Sequence, residues 1–304
     1  MQSAIEVDGL TKSYGSLQAV RGVGFEVAEG ECFGILGPNG AGKTTTLEII
    51  EGLREPDEGV VSVFGQSPWP RNPGLMRLIG VQLQATAFIL SLTAREQLST
   101  MADIYGSPAT RPDEVLELVD LTDMADTDAM KLSGGQQQRL SIGLALVHKP
   151  RLLFLDEPST GLDPGARRAL WELLDKIRAD GTTLVITTHY MEEAEVLCDR
   201  VAIMDHGLIL AMDTPASLVR DLDASTSILL PPGALPLDEA SSLGGIESAE
   251  HTPGALTLKT RDPAGVLTLL ADRGALGGVQ VRSANLEDVF VSLTGRQLLD
   301  SEQP

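Results

Sequence analysis

The residues Gly37-Pro38-Asn39-Gly40-Ala41-Gly42-Lys43-Thr44 fit the spacing G-x-x-x-x-G-K-[ST], which is the spacing of phosphate binding. Glycines let the backbone turn with φ > 0. Successive N–H groups then converge on anionic oxygens, and the helix that follows presents its positive N-terminus. Lys43 would reach the β- and γ-phosphates of a nucleotide, and Thr44 would offer its hydroxyl to Mg²⁺. The context suits this. Gly34, Ile35 and Leu36 lie in an apolar run that reads as a buried strand, and Thr44 to Leu53 reads as a helix.

A second set of reactive residues closes an apolar run. Leu152-Leu153-Phe154-Leu155 precedes Asp156-Glu157, and an uninterrupted apolar run suits a strand buried on both faces of a parallel sheet. The carboxyl end of such a strand is where α/β sheets bind ligands. Strand alternation points the two carboxylates to opposite faces, so they take different roles. Upstream, Leu132-Ser133-Gly134-Gly135-Gln136 opens a helix. Ser133 can cap it, and the two glycines leave its first N–H groups open to an anion, although an ordinary cap looks the same. Asp163-Pro164 caps a further helix whose apolar stripe runs through Ala166, Ala169, Leu170, Leu173, Leu174 and Ile177 to Gly181. His189 ends a β-branched run, Thr182 to Thr188. A lone histidine is more often structural than catalytic, but this one sits at the tip of a buried strand.

The LSGGQ segment, taken with the phosphate loop and the Asp-Glu strand end, resembles the ATP-binding-cassette (ABC) ATPases. The resemblance spans about two-thirds of the chain, with every cassette motif in order. It implies ATP and Mg²⁺ as ligands. ATP would contact the loop residues Gly37 to Thr44 together with Thr45, and it would be sandwiched against Ser133, Gly134, Gly135 and Gln136 of a second subunit. Asp156 would join the Mg²⁺ shell beside Thr44. Glu157 would polarise the attacking water, and His189, opening Tyr190-Met191-Glu192-Glu193-Ala194, would contact the γ-phosphate. Asp163, in Ser159-Thr160-Gly161-Leu162-Asp163, would lie at the dimer interface. Tyr14 matches the adenine-stacking aromatic. Ile79-Gly80-Val81-Gln82-Leu83-Gln84 matches the Q-loop, with Gln84 contacting metal and water. Leu83 stands where the family commonly has proline, and Gln82 is a competing candidate.

These motifs need a scaffold, and the expected one is α/β. It combines a RecA-like parallel-sheet core with antiparallel β and helical subdomains. The cassette is expected over residues 1–220, with the helical part at about 88–150, followed by a small α+β domain over 221–304. The composition, 42% hydrophobic and 22% charged residues over 304 positions, is that of a soluble globular protein. No apolar stretch is long enough to cross a membrane, and no signal peptide is apparent. Cys32 and Cys198 make neither a disulfide framework nor a zinc site. A net charge of −20 disfavours a nucleic-acid partner.

The tail residues Leu286-Glu287-Asp288-Val289-Phe290 and Leu293-Thr294-Gly295, with Glu48 to Gly52, resemble the ABC-2-type ATPases of the daunorubicin-resistance group. That resemblance implies the ATP-hydrolysing subunit of an exporter of drugs, lipids or natural products, a form of antibiotic resistance. The subunit would lie peripherally on the cytoplasmic face of the cell membrane, as a homodimer on a separate ABC-2-type permease. A non-transport ABC ATPase acting on DNA or the ribosome is the alternative. Fewer than 50 residues separate Gln84 from Leu132, too few for the coiled coil of a repair ATPase. There is a single cassette, where the ribosomal factors carry two.

Overall fold

A computed structural model describes residues 2–82, 88–222, 225–252 and 254–295. The chain divides at Pro215 and Ala216 into two compact units.

In the first unit, β1 (Ser3–Tyr14) and β2 (Leu17–Ala28) form an antiparallel hairpin, closed at Gly15 with φ 60°. Register shifts at β1 absorb the irregular stretch around Gly9 and Gly22, two positive-φ glycines. β3 (Cys32–Leu36) is buried throughout and feeds α1 (Lys43–Ile50). β4 (Glu58–Val63) returns to β1, giving the sheet order β2-β1-β4. A short helix, α2 (Pro73–Met76), precedes β5 (Ile79–Gln82).

Three helices follow: α3 (Ala94–Tyr105), α4 (Arg111–Leu118) and α5 (Gly134–Leu146). α3 starts in a capping box, Thr93 with Glu96, and stops at Gly106 with φ 68°. α5 starts in the same way, Ser133 with Gln136. The chain then alternates through β6 (Leu152–Asp156), α6 (Pro164–Ala179), β7 (Thr183–Thr188), α7 (Met191–Leu197), β8 (Arg200–Asp205) and β9 (Leu208–Asp213). The six-stranded sheet runs β5-β6-β7-β3-β8-β9, parallel except for β9. Most consecutive strands are neighbours, but β3 is inserted between β7 and β8. The ends of β3, β6 and β7 come together at one edge. Ile5, Val7, Phe25, Phe33, Ile35, Leu47, Ile50, Phe154 and Val185 form the core between the two sheets.

The second unit begins within α8 (Pro215–Asp221) and contains the antiparallel sheet β11-β12-β10-β13. Its elements in chain order are β10 (Thr226–Leu230), α9 (Leu237–Ser241), β11 (Ile246–Thr252), β12 (Ala255–Thr260), α10 (Pro263–Asp272), β13 (Gln280–Arg282) and α11 (Leu286–Thr294). Ile228, Leu230, Leu256, Leu258, Val266 and Leu270 form its own core.

Candidate functional site

The phosphate loop is held open by the strands beneath it. A Cβ at Gly37 would lie 2.1 Å from the Met204 carbonyl oxygen, and one at Gly42 (φ 103°) 2.3 Å from that of Ala19. Both positions exclude any side chain. Gly37 N–H donates to the Thr188 carbonyl at 3.3 Å, which fixes the loop to the end of β7. The loop then surrounds a cavity of about 410 Å³ lined by Tyr14, Leu17, Ala19, residues 38–45 and Glu157. Among the residues expected from sequence to bind nucleotide, Tyr14, Pro38, Asn39, Gly40, Ala41, Gly42, Lys43, Thr44 and Thr45 are thus gathered at one place. Tyr14 is partly exposed, with the Arg54 guanidinium 5.3 Å from its ring centroid.

Lys43 is 4% exposed. Its Nζ donates to the carbonyls of Gly37 (2.8 Å) and Pro38 (3.1 Å) and stands 3.3 Å from Glu157 Oε1. Burial draws its pKa down, and the Glu157 carboxylate opposes that. Glu157 follows β6 with φ 48°. It has left the strand, so the simple alternation expected for Asp156 and Glu157 does not hold. Its N–H donates to the Thr187 hydroxyl (3.0 Å) and carbonyl (3.1 Å). Its Oε2 is 3.4 Å from His189 Nδ1 and accepts from the Thr160 hydroxyl at 3.3 Å. His189, and then the charge of Lys43, outweigh burial and bring Glu157 down to about 2. The group is a carboxylate at neutral pH.

Asp156 ends β6 and is almost fully buried. Thr44 Oγ1 lies 3.2 Å from its Oδ2, and the Thr187 hydroxyl donates to its Oδ1. Burial raises its pKa, opposed by these two hydroxyls. A nearly dry carboxylate beside a threonine hydroxyl is a hard, anionic oxygen set of the kind Mg²⁺ takes.

Other expected residues lie apart. Ser133 accepts from Gln136 N–H at 3.3 Å and Gln136 Oε1 accepts from Ser133 N–H at 2.9 Å, a closed capping box at the start of α5. Asp163 caps α6 through Gly165 (2.9 Å) and Ala166 (3.1 Å). Neither Ser133, Gly134, Gly135 and Gln136 nor Asp163 lines the phosphate-loop cavity. Gln84 lies outside the described residues. Sequence reasoning missed Thr187, which joins Asp156 to the Glu157 backbone. Its position beside Asp156 in the parallel β6–β7 register appears only once strands are paired.

Fold and site together define a phosphate-loop ATPase of the cassette type, and comparison with known proteins makes the class specific. Residues 20–160 match the ABC transporter family. The Nod factor export ATP-binding protein I of Sinorhizobium fredii (strain NBRC 101917 / NGR234) is 40% identical over 98% of this chain and 88% of its own length. The linearmycin resistance ATP-binding protein LnrL of Bacillus subtilis (strain 168) is 38% identical over 97% of this chain and 100% of its own. Among solved structures, a dimeric ATP-binding cassette in a post-hydrolysis state, bound to ADP and Pi, superposes with a TM-score of 0.63. It is 29% identical and covers 69% of this chain and 98% of that one. The chain belongs to the ATP-binding proteins of the ABC transporter family and is an ATPase. Among the described residues, no helix is long and apolar enough to cross a membrane.

Proposed function

We propose that the chain is the ATP-hydrolysing subunit of an exporter. It would work as a homodimer on the cytoplasmic face of the membrane, against a separate ABC-2-type permease. The observation that carries this reading is the placement of Lys43 and Glu157 on one cavity, with His189 against Glu157, in a chain whose relatives are named for export and for linearmycin resistance. Mg²⁺ held by Thr44 and Asp156 would neutralise phosphate charge in the reaction. The chain's own residues do the rest. Lys43 leaves its carbonyl partners for the β/γ-phosphates. Glu157, already ionised, accepts a hydrogen bond from the attacking water and orients it. His189 holds Glu157 in place. The Ser133 helix start and Asp163, which lie away from this cavity, are free to meet the nucleotide of a second subunit.

The contact with the permease is assigned to the apolar stretch Phe88-Ile89-Leu90. Ile89 is 50% and Leu90 75% exposed, while Gln97 fixes the backbone by bonding Ile89 N–H (3.2 Å) and its carbonyl (2.7 Å). A rigidly held, exposed apolar stretch marks a partner surface. Leu90→Asp should abolish co-purification with its permease and leave ATP binding intact. Co-purification at wild-type yield would rule this contact out. The transported molecule is assigned by class only, as a drug, lipid or natural product.

A further inference from the structure

Glu193, in α7, is fully buried and takes no part in the chemistry above. Burying a carboxyl is costly by several kcal/mol unless its surroundings hold it, so its presence needs a reason. Trp171 Nε1, on α6, donates to Oε1 at 3.2 Å. Burial raises the Glu193 pKa, opposed by that donor and by the Arg167 charge. The Trp171 bond joins α6 to α7, the helix that the His189 turn opens. Thr188 Oγ1 accepts from Tyr190 N–H at 2.9 Å and so fixes that turn. From the other side, the Arg167 guanidinium lies 4.5 Å from the Tyr190 ring centroid, and that ring packs 4.1 Å from the His189 ring.

We infer that Glu193 is a positioning residue that ties α7, and with it the His189 turn, to α6, so that His189 meets Glu157 at the geometry hydrolysis requires. This rests on the catalytic reading of Glu157 and His189. Glu193 touches neither nucleotide nor water and acts through His189. Its loss would loosen the His189–Glu157 pair without disturbing Lys43, whose partners lie within the phosphate loop and at Glu157. A displacement of about 1 Å at a reacting group costs on the order of 10²-fold in rate.

The test measures steady-state hydrolysis and equilibrium ATP binding on the full chain with Mg²⁺. Glu193→Ala should lower kcat about 10²-fold with KM nearly unchanged. Glu193→Gln, which keeps the shape and the acceptor for Trp171, should restore most of the loss. The double variant His189→Ala/Glu193→Ala should be no slower than His189→Ala alone, since residues acting as one unit are not additive. Trp171→Phe, which removes one donor and keeps the ring, carries the test if Glu193→Ala does not fold; it should lower kcat and leave ATP affinity unchanged. Wild-type kcat in the folded Glu193→Ala or Trp171→Phe protein overturns the inference. So does a double variant slower by the product of both losses, or a loss that falls on KM alone. If His189→Ala and Glu157→Gln themselves turn over at the wild-type rate, the catalytic reading fails instead.

Discussion

Replacing Glu157 with glutamine removes one charge from a pair that is almost fully enclosed, with side-chain exposures of 4% for Lys43 and 7% for Glu157. The drop of Glu157 from its ordinary 4.5 to about 2 corresponds to ~3 kcal/mol of interaction favouring the carboxylate. His189 is the first source and Lys43 the second. Part of that interaction is with Lys43, and ATP must replace it when it draws Lys43 away. The variant therefore has two opposite signatures. Hydrolysis should fall by about 10²–10⁴-fold, because the oriented base is gone. Affinity for a non-hydrolysable ATP analogue should rise, by at most about 10²-fold, because the whole interaction is ~3 kcal/mol and 1.4 kcal/mol is a factor of ten. Stability adds a third readout. A depressed carboxylate stabilises the fold above its unfolded pKa, and that stability is lost as pH falls from about 4.5 toward 2. This acid-side loss should be smaller in Glu157→Gln than in the wild type. Calorimetric titration, a coupled phosphate assay and melting between pH 2 and 7 measure all three. A variant that binds the analogue no more tightly than wild type refutes the Lys43–Glu157 exchange. One that hydrolyses ATP within a factor of about two refutes the base.

Lys43→Ala should weaken Mg·ATP binding by about 10–150-fold, the worth of one hydrogen bond to a charged group, read by equilibrium titration; unchanged affinity would contradict its assignment. Glu51, buried near Asp156 and Glu48, is raised to about 8, burial first and those two charges next. A raised acid keeps its proton in the folded state, so stability falls as pH climbs from 4.5 to about 8. Glu51→Gln should abolish that slope and stabilise the protein at pH 8 by as much as ~4 kcal/mol, with little effect at pH 4.5, measured by denaturant titration at both values. Ending the chain at Asp221 should leave ATP binding unchanged, because the cavity is built by residues 14–157; a folded, truncated protein that no longer binds ATP would show the second unit to be part of the site.

The phosphate loop, Asp156, Glu157 and His189 were legible because local spacing carries their chemistry. The loop glycines are required by carbonyls directly beneath them, and such close approach leaves a mark in the sequence. The caps at Ser133 and Asp163 were equally readable, since each side chain bonds N–H groups two or three residues away. Thr187 and Glu193 were not. Their roles depend on β6 lying beside β7 and on α6 packing near α7, pairings that join residues 22 to 31 positions apart. β10 was missed because its five residues follow a polar stretch and precede Pro231-Pro232, so turn signals masked a strand that only its two neighbours stabilise. The departure of Glu157 from strand alternation was also hidden, because nothing in a Glu-Pro sequence announces a left-handed residue.

That left-handed backbone sets chemistry against folding at one position. At φ 48° the residues most easily accommodated are glycine, asparagine and aspartate, and β-branched side chains are the least. A population of variants randomised at position 157 and sorted only for a folded chain would drift toward the small, permissive residues and lose valine, isoleucine and threonine. Sorted for turnover, it would return to glutamate, a residue the backbone does not favour. Selection on abundance and selection on activity would diverge at this one codon while agreeing at Gly37 and Gly42, where the same glycine serves both.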